Sequence, residues 1–239
     1  MTTETSTSTP PWGLLSSASL VVWDFDGPVC DLFAGNAASA IAERLCALVG
    51  ADACATAGIT GERDPLEVLR RVDATHQCHA PDVIRAVRKR LDEEETEAAE
   101  TATPTPGARE AMVRLRRGGA RMAIVSNNCE AAVRAYLDRH ELSGFFTAGL
   151  VGRPEDPSLM KPHPDGLLRV LRASRTRAAD AVMIGDSRAD ARAARVAGVH
   201  FVGVHADPGR WQDTEPGDVV HAVPDIEALL PDFVASQGV

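Results

Sequence analysis

Residues 20–31 read Leu20-Val-Val-Trp23-Asp24-Phe-Asp26-Gly27-Pro28-Val-Cys-Asp31. The first four are apolar and rich in β-branched side chains, a run of the length of a buried strand. It ends in two carboxylates two residues apart, Asp24 and Asp26, and Gly27-Pro28 then forces a turn. Two acids at the end of a buried strand are in conflict, because repulsion and desolvation both disfavour the ionised pair. A divalent cation removes the conflict, and so does a division into one ionised and one protonated carboxyl. Ligands of open α/β sheets bind just beyond the carboxyl ends of the strands. The pair therefore reads as a cation-dependent site with a nucleophilic carboxylate beside a proton-transferring one. The alternative is an acidic turn whose side chains only cap local backbone groups.

Downstream, the pattern is helical for some seventy residues. Residues 36–49 carry Ala37, Ala40, Ile41, Leu45 and Leu48 at helical spacing, and Asp64-Pro65 reads as a cap followed by proline at the first helical position. Pro81 opens a further helix with Val83, Ile84, Val87 and Leu91 on one face, running into an acidic stretch at 92–100. No strand pattern interrupts residues 32–101, which predicts an all-helical insert. Thr101-Ala-Thr-Pro-Thr-Pro-Gly107 is a return linker. Beyond it, strands at 122–125, 150–151, 181–184 and 200–204 alternate with helices at 108–117, 130–140, 164–173 and 188–197. Residues 219–220 suit a last edge strand before a helix at 226–230. This alternation predicts an α/β fold: a Rossmann-like parallel sheet with helices on both faces, plus the inserted helical cap. The expected division is a disordered Thr/Ser/Pro-rich tail at 1–13, a core at 14–31 and 104–232, and a cap at 32–103.

The strand ends converge on one chemistry. The first supplies Asp24 and Asp26; the second supplies Ser126 and Asn127, at a helix start where exposed N–H groups favour an anion. A third supplies Asp186 after Gly185, and Lys161 precedes Pro162 in the loop between the last two. The chain has 23 arginines and two lysines, Lys89 and Lys161, so a retained lysine raises the question of what arginine could not do there. Two or three acids with oxygen-only ligands suit Mg²⁺, which commonly shares a phosphate oxygen with its substrate. Phosphoryl transfer needs this combination of nucleophile, cation and donors around the equatorial oxygens. Singly, Ser126 could be an N-cap, Lys161 a surface charge, and Asp186 a cap for the helix that follows.

Together these residues resemble the haloacid dehalogenase superfamily, in its phosphoglycolate-phosphatase-like branch with a helical cap inserted after the first motif. Asp24-Phe-Asp-Gly-Pro-Val-Cys-Asp31 looks like the first motif, Ser126-Asn127 the second, Lys161-Pro162 the third and Gly185-Asp-Ser-Arg-Ala-Asp190 the fourth. The resemblance implies that Asp24 is a nucleophile forming an aspartyl-phosphate and Asp26 the acid that then becomes the base. It implies Mg²⁺ held by the Asp24 carboxylate, the Asp26 main-chain carbonyl and Asp186. Ser126, Asn127 and Lys161 would bind the phosphoryl group, with Asp190 supporting Lys161 or a metal-bound water. Position 28, usually Thr or Ser in the family, is Pro here, which removes a hydroxyl and a backbone donor beside Asp26.

On this reading the chain is a Mg²⁺-dependent phosphatase acting on a small phosphorylated metabolite. A phosphomutase on the same chassis, like β-phosphoglucomutase, and a non-catalytic binding domain are the alternatives; imine-based phosphonate hydrolysis would need Lys89. The cap should close over the site and choose the substrate, with Asn36, Arg63, Arg70 and Arg71 as candidate contacts and hinges at 32–35 and 103–107. A net charge of −9 argues against nucleic-acid partners and anionic membranes. No apolar run is long enough to span a bilayer. Five cysteines without a Cys-x-x-Cys pair argue against zinc and a disulfide framework and fit a reducing cytoplasm. Neither the individual substrate nor the oligomeric state is legible in the chain.

Overall fold

The computed structural model describes residues 11–35, 37–75, 81–212, 214 and 221–230. Its centre is β1 (Leu20–Trp23), whose four side chains are all buried. Around it lies a six-stranded sheet in the order β5-β4-β1-β6-β7-β8, formed with β4 (Arg121–Val125), β5 (Gly149–Val151), β6 (Ala181–Gly185), β7 (His200–Val204) and β8 (His221–Val223). Every pairing is parallel. A central strand in such a sheet is buried on both faces, which is why it reads as an unbroken apolar run rather than an alternating one.

The pleat divides the core in two. Val21, Trp23, Met122, Ile124, Val182 and Ile184 face α6 (Ala108–Arg117) and α7 (Glu130–Arg139). Leu20, Val22, Ala123, Val125, Ala181 and Met183 face α8 (Asp165–Ser174) and α9 (Arg188–Ala197). With aromatics at only 4% of the chain, alanine fills much of the second layer: Ala191, Ala193, Ala194 and Ala197 let α9 approach the sheet closely.

Between β1 and β4 the chain inserts α2 (Ala38–Val49), α3 (Ala51–Ala57), α4 (Pro65–Ala74) and α5 (Pro81–Thr101). These helices have their own core of Ile41, Leu45, Val68, Leu69, Val72, Val87 and Leu91. The 21-residue α5 belongs to both units. Val87 and Leu91 pack in the insert, whereas Ala98 and Ala99 pack in the sheet core. Asp64 caps α4 by accepting the Leu66 N–H at 2.8 Å, as its place before Pro65 predicts.

Several local expectations need correction. The predicted disordered tail extends through residue 13, yet Pro11–Ser17 forms α1, with Leu15 fully buried and Trp12 and Leu14 against the sheet core. The polar composition of the preceding ten residues masked this short amphipathic turn. The chain enters and leaves the insert through a short antiparallel pair absent from the sequence reading, β2 (Cys30–Asp31) against β3 (Thr103–Pro104). Two-residue strands are too short to carry a period in sequence. The predicted helix at 226–230 is a single 3-10 turn, Glu227–Leu229. Asn36 and residues 219–220 lie outside the described residues. No helix among those described is long and apolar enough to cross a membrane.

Candidate active site

The register brings the predicted residues to one edge of the sheet. Trp23 is level with Ile124 of β4 and Ile184 of β6, so Asp24 leaves β1 beside the ends of both neighbours. At that end the connections run from β1 to β4 and β5 on one side and from β6 to β7 and β8 on the other, which makes it the topological switch point of the sheet.

Asp24 is nearly buried, and its Oδ1 accepts from the Phe25 N–H and from Lys161 Nζ, each at 2.7 Å. Burial and the nearby carboxylates of Asp190 and Asp186 raise its pKa well above the usual range, against the pull of Lys161. Asp26 follows on the tight turn, where Oδ1 accepts the Leu32 N–H at 2.9 Å. Burial pushes its carboxyl up to about 6. The turn depends on Gly27: φ is +98°, and a Cβ there would lie 2.5 Å from Asp186 Oδ2. Although Pro28 offers no hydroxyl, Thr105 of the return linker donates its own to the Gly27 carbonyl.

Lys161 is the hub. Its ammonium reaches Asp24 Oδ1 at 2.7 Å, Asp190 Oδ1 at 2.6 Å and the Val125 carbonyl at 3.0 Å. The ammonium is thus paired with two carboxylates and hydrogen-bonded to one carbonyl. Burial alone would discharge it, but Asp190 and Asp24 outweigh that cost and hold it charged. Asp190, itself fully buried, is fixed from the other side: its Oδ2 accepts the Ser187 N–H and hydroxyl at 3.1 and 2.6 Å, closing a capping box on α9. Asp190 is thereby placed against the Lys161 ammonium. Gly185 is required here because a Cβ would meet Asp190 Cβ at 2.6 Å.

Asn127 lines the same cavity, but its amide holds the Lys161 backbone. Ser126 donates its hydroxyl to Asn128 Oδ1 at 2.9 Å and accepts the Asn128 N–H at 3.1 Å. Asp186 faces the pair from β6, with burial pushing its carboxyl up to about 7. The carboxylates of Asp24, Asp186 and Asp190 lie within 4.8 Å of one another. Three acids against one lysine leave two uncompensated negative charges when all are ionised. An oxygen-only donor set with that imbalance fits a small hard dication.

The insert roofs a cavity of about 530 Å³, with Arg63 and Arg70 lining it opposite Asp24, Asp26 and Ser126. Arg70 donates to the Lys161 carbonyl at 2.6 Å. Arg71 does not take part: it turns away to Glu67 and the Gly58 carbonyl, at 2.7 and 2.6 Å. Lys89 is solvated beside Glu93, outside the cavity, so the imine route has no lysine there beyond Lys161. Sequence reasoning missed Phe33 and Arg210, which also line the cavity. Arg210 donates to the Asp186 carbonyl at 3.3 Å from a 3-10 turn, Pro208–Trp211, whose Asp207-Pro208 cap is the one signal in sequence that could have placed it.

The model of the family described as haloacid dehalogenase-like hydrolase matches residues 21–204. A phosphoglycolate phosphatase of Pseudomonas putida is 34% identical over 137 residues, which is 56% of this chain and 49% of that protein. The chain thus spans about half the length of the first curated relatives it matches. Among solved structures, CbbY from Rhodobacter sphaeroides in complex with phosphate superposes with a TM-score of 0.62 at 17% identity, covering 87% of this chain and 95% of that one. A β-phosphoglucomutase from Clostridium difficile does so at 0.67 and 14%, covering 91% and 96%. At these identities the two structures bear on the fold alone.

Proposed function

The chain belongs to the haloacid dehalogenase-like hydrolase family, and we propose that it is a Mg²⁺-dependent phosphatase of a small phosphorylated acid such as phosphoglycolate. The observation that carries the proposal is the buried Asp24–Lys161–Asp190 ion-pair chain beside Asp26 and Asp186, against a cavity that Arg63 and Arg70 also line. The P. putida relative supports phosphoglycolate as the first substrate to test.

With Oδ1 of Asp24 held by Lys161 and the Phe25 N–H, Oδ2 is the oxygen left to attack phosphorus. The P–O bond to the leaving group breaks as the Asp24 O–P bond forms, and the Asp26 carboxyl gives its proton to the departing oxygen. Asp26 then takes a proton from water, which attacks the aspartyl-phosphate and releases phosphate and Asp24. A carboxyl pushed up to about 6 suits both halves of that exchange near neutral pH. Lys161 and Ser126 would hold the phosphoryl oxygens, and Asn127 would keep Lys161 in place. Mg²⁺, held by the carboxylates of Asp24 and Asp186 and the Asp26 carbonyl, would neutralise charge on the phosphoryl group.

The test is phosphate release from phosphoglycolate and a panel of sugar and acid phosphates, with Mg²⁺ and with EDTA, for wild type and Asp24→Asn. Metal-dependent release lost in the variant supports the reading. Isomerised sugar phosphate without free phosphate would replace hydrolysis by phosphomutase activity, and no turnover by folded protein would favour a binding role.

A further inference from the structure

Besides Asp24, Asp186 and Asp190, a second group with metal-ligand chemistry is Asp92, Glu95 and Cys129. A guanidinium already fills it. Arg153 donates through Nη1 to Glu95 Oε1 at 2.9 Å and through Nη2 to Glu95 Oε2 at 2.8 Å, and also reaches Asp92. Both Arg153 and Glu95 are buried, at 1% and 0% side-chain exposure. A buried ion pair of this kind adds little net stability over an apolar pair of similar volume, so its position invites another explanation.

That position is informative. Glu95 lies on α5, inside the insert's longest helix, yet its carboxylate also accepts the Asn128 side-chain amide at 3.2 Å and the Cys129 N–H at 2.7 Å. Glu95 therefore faces four N–H donors, and an ionised carboxylate is an acceptor only. The Asn128 amide is thereby oriented: Nδ2 must face Glu95, leaving Oδ1 to face the Ser126 hydroxyl.

We propose that Glu95, acting through Asn128, is a positioning residue for Ser126, so that α5 and the phosphoryl-binding loop after β4 form one rigid unit. The inference rests on the proposed phosphatase reading. With Oγ held by both Asn128 bonds, the hydroxyl needs only to rotate its proton from Asn128 Oδ1 to an arriving phosphoryl oxygen. Cap motion then belongs to the helices before α5, because α5 is bound to the loops after β4 and β5.

Glu95→Gln keeps the shape but turns one acceptor into a donor, so an N–H must face an N–H. With para-nitrophenyl phosphate and Mg²⁺, it should lower kcat/KM roughly tenfold, the size typical of losing an orienting bond one residue removed. In a Ser126→Ala background the same substitution should change kcat/KM by less than about twofold, because the residue it acts through is gone. A purely structural role would lower kcat/KM equally in both backgrounds, which overturns the proposal. Should Glu95→Gln fail to fold, Asn128→Ala, which leaves the ion pair intact, enters the same cycle with the same two outcomes. If wild type hydrolyses nothing, the phosphatase reading fails on its own. The cycle is then read in the affinity for inorganic phosphate by calorimetry, where additivity, or no binding by wild type, overturns the positioning role.

Discussion

The side chain of Asn127 clamps the backbone of Lys161 at both ends of one residue. Its Oδ1 accepts the Lys161 N–H at 2.8 Å, and its Nδ2 donates to the Lys161 carbonyl at 3.1 Å. The clamp joins the end of β4 to a loop 34 residues later and fixes where the lysine side chain begins. Asn127→Ala should displace Lys161 from Asp24 and lower kcat/KM by about a hundredfold, the cost of an ångström-scale misplacement at a reacting group. Steady-state kinetics beside a thermal melt separates this from unfolding: the melting temperature should fall far less than activity.

The Lys161 carbonyl carries a second load. Arg70 donates to it at 2.6 Å from the insert, while the neighbouring Arg71 bonds only within the insert. Arg70→Ala should raise KM about tenfold, the effect of losing one charged hydrogen bond between cap and core. Arg71→Ala should stay within about twofold of wild type, as a surface substitution does. Equal effects of the two would refute the assignment of Arg70 as the contact between cap and site.

Burial pushes Asp26 up to about 6 and Asp186 up to about 7 in the metal-free protein. In the unfolded chain both titrate near pH 4. Between about pH 4 and pH 7 the folded protein therefore binds more protons than the unfolded chain, and stability falls as pH rises. Mg²⁺ needs the Asp186 carboxylate ionised, so its stabilising effect should grow over the same interval. Thermal melts in EDTA and in excess Mg²⁺, at about pH 5 and about pH 8, should show a larger metal-induced rise in Tm at the higher pH. A rise independent of pH would mean that the Asp186 carboxylate does not hold the ion.

Leu15 tests the status of the N-terminal helix. Its side chain is fully buried in α1 against the sheet core. Leu15→Ala should cost about 2–5 kcal/mol in urea denaturation, as large-to-small core substitutions do. A cost under about 0.5 kcal/mol, typical of surface sites, would return residues 11–17 to the status of a tail.

The amino-acid sequence by itself determined the architecture and the chemical inventory. A short apolar run ending in Asp24 and Asp26, a helical stretch without strand pattern, and later strands ending at Ser126 and Gly185 are local signals. Each is written in residues a few positions apart, where period and turn chemistry act. Tertiary structure decided which groups meet and which way they face. That Asp190 pairs with Lys161, that Asn127 holds the lysine's backbone, and that Arg70 reaches the site while Arg71 does not depend on contacts across 29, 34 and 91 residues. The Glu95–Arg153 pair was hidden for the same reason, its acid lying within the acidic stretch at 92–100. Helix period tells which side chains share a face. Only packing against the sheet sets the helix's rotation, and hence which of those side chains turns toward the cavity.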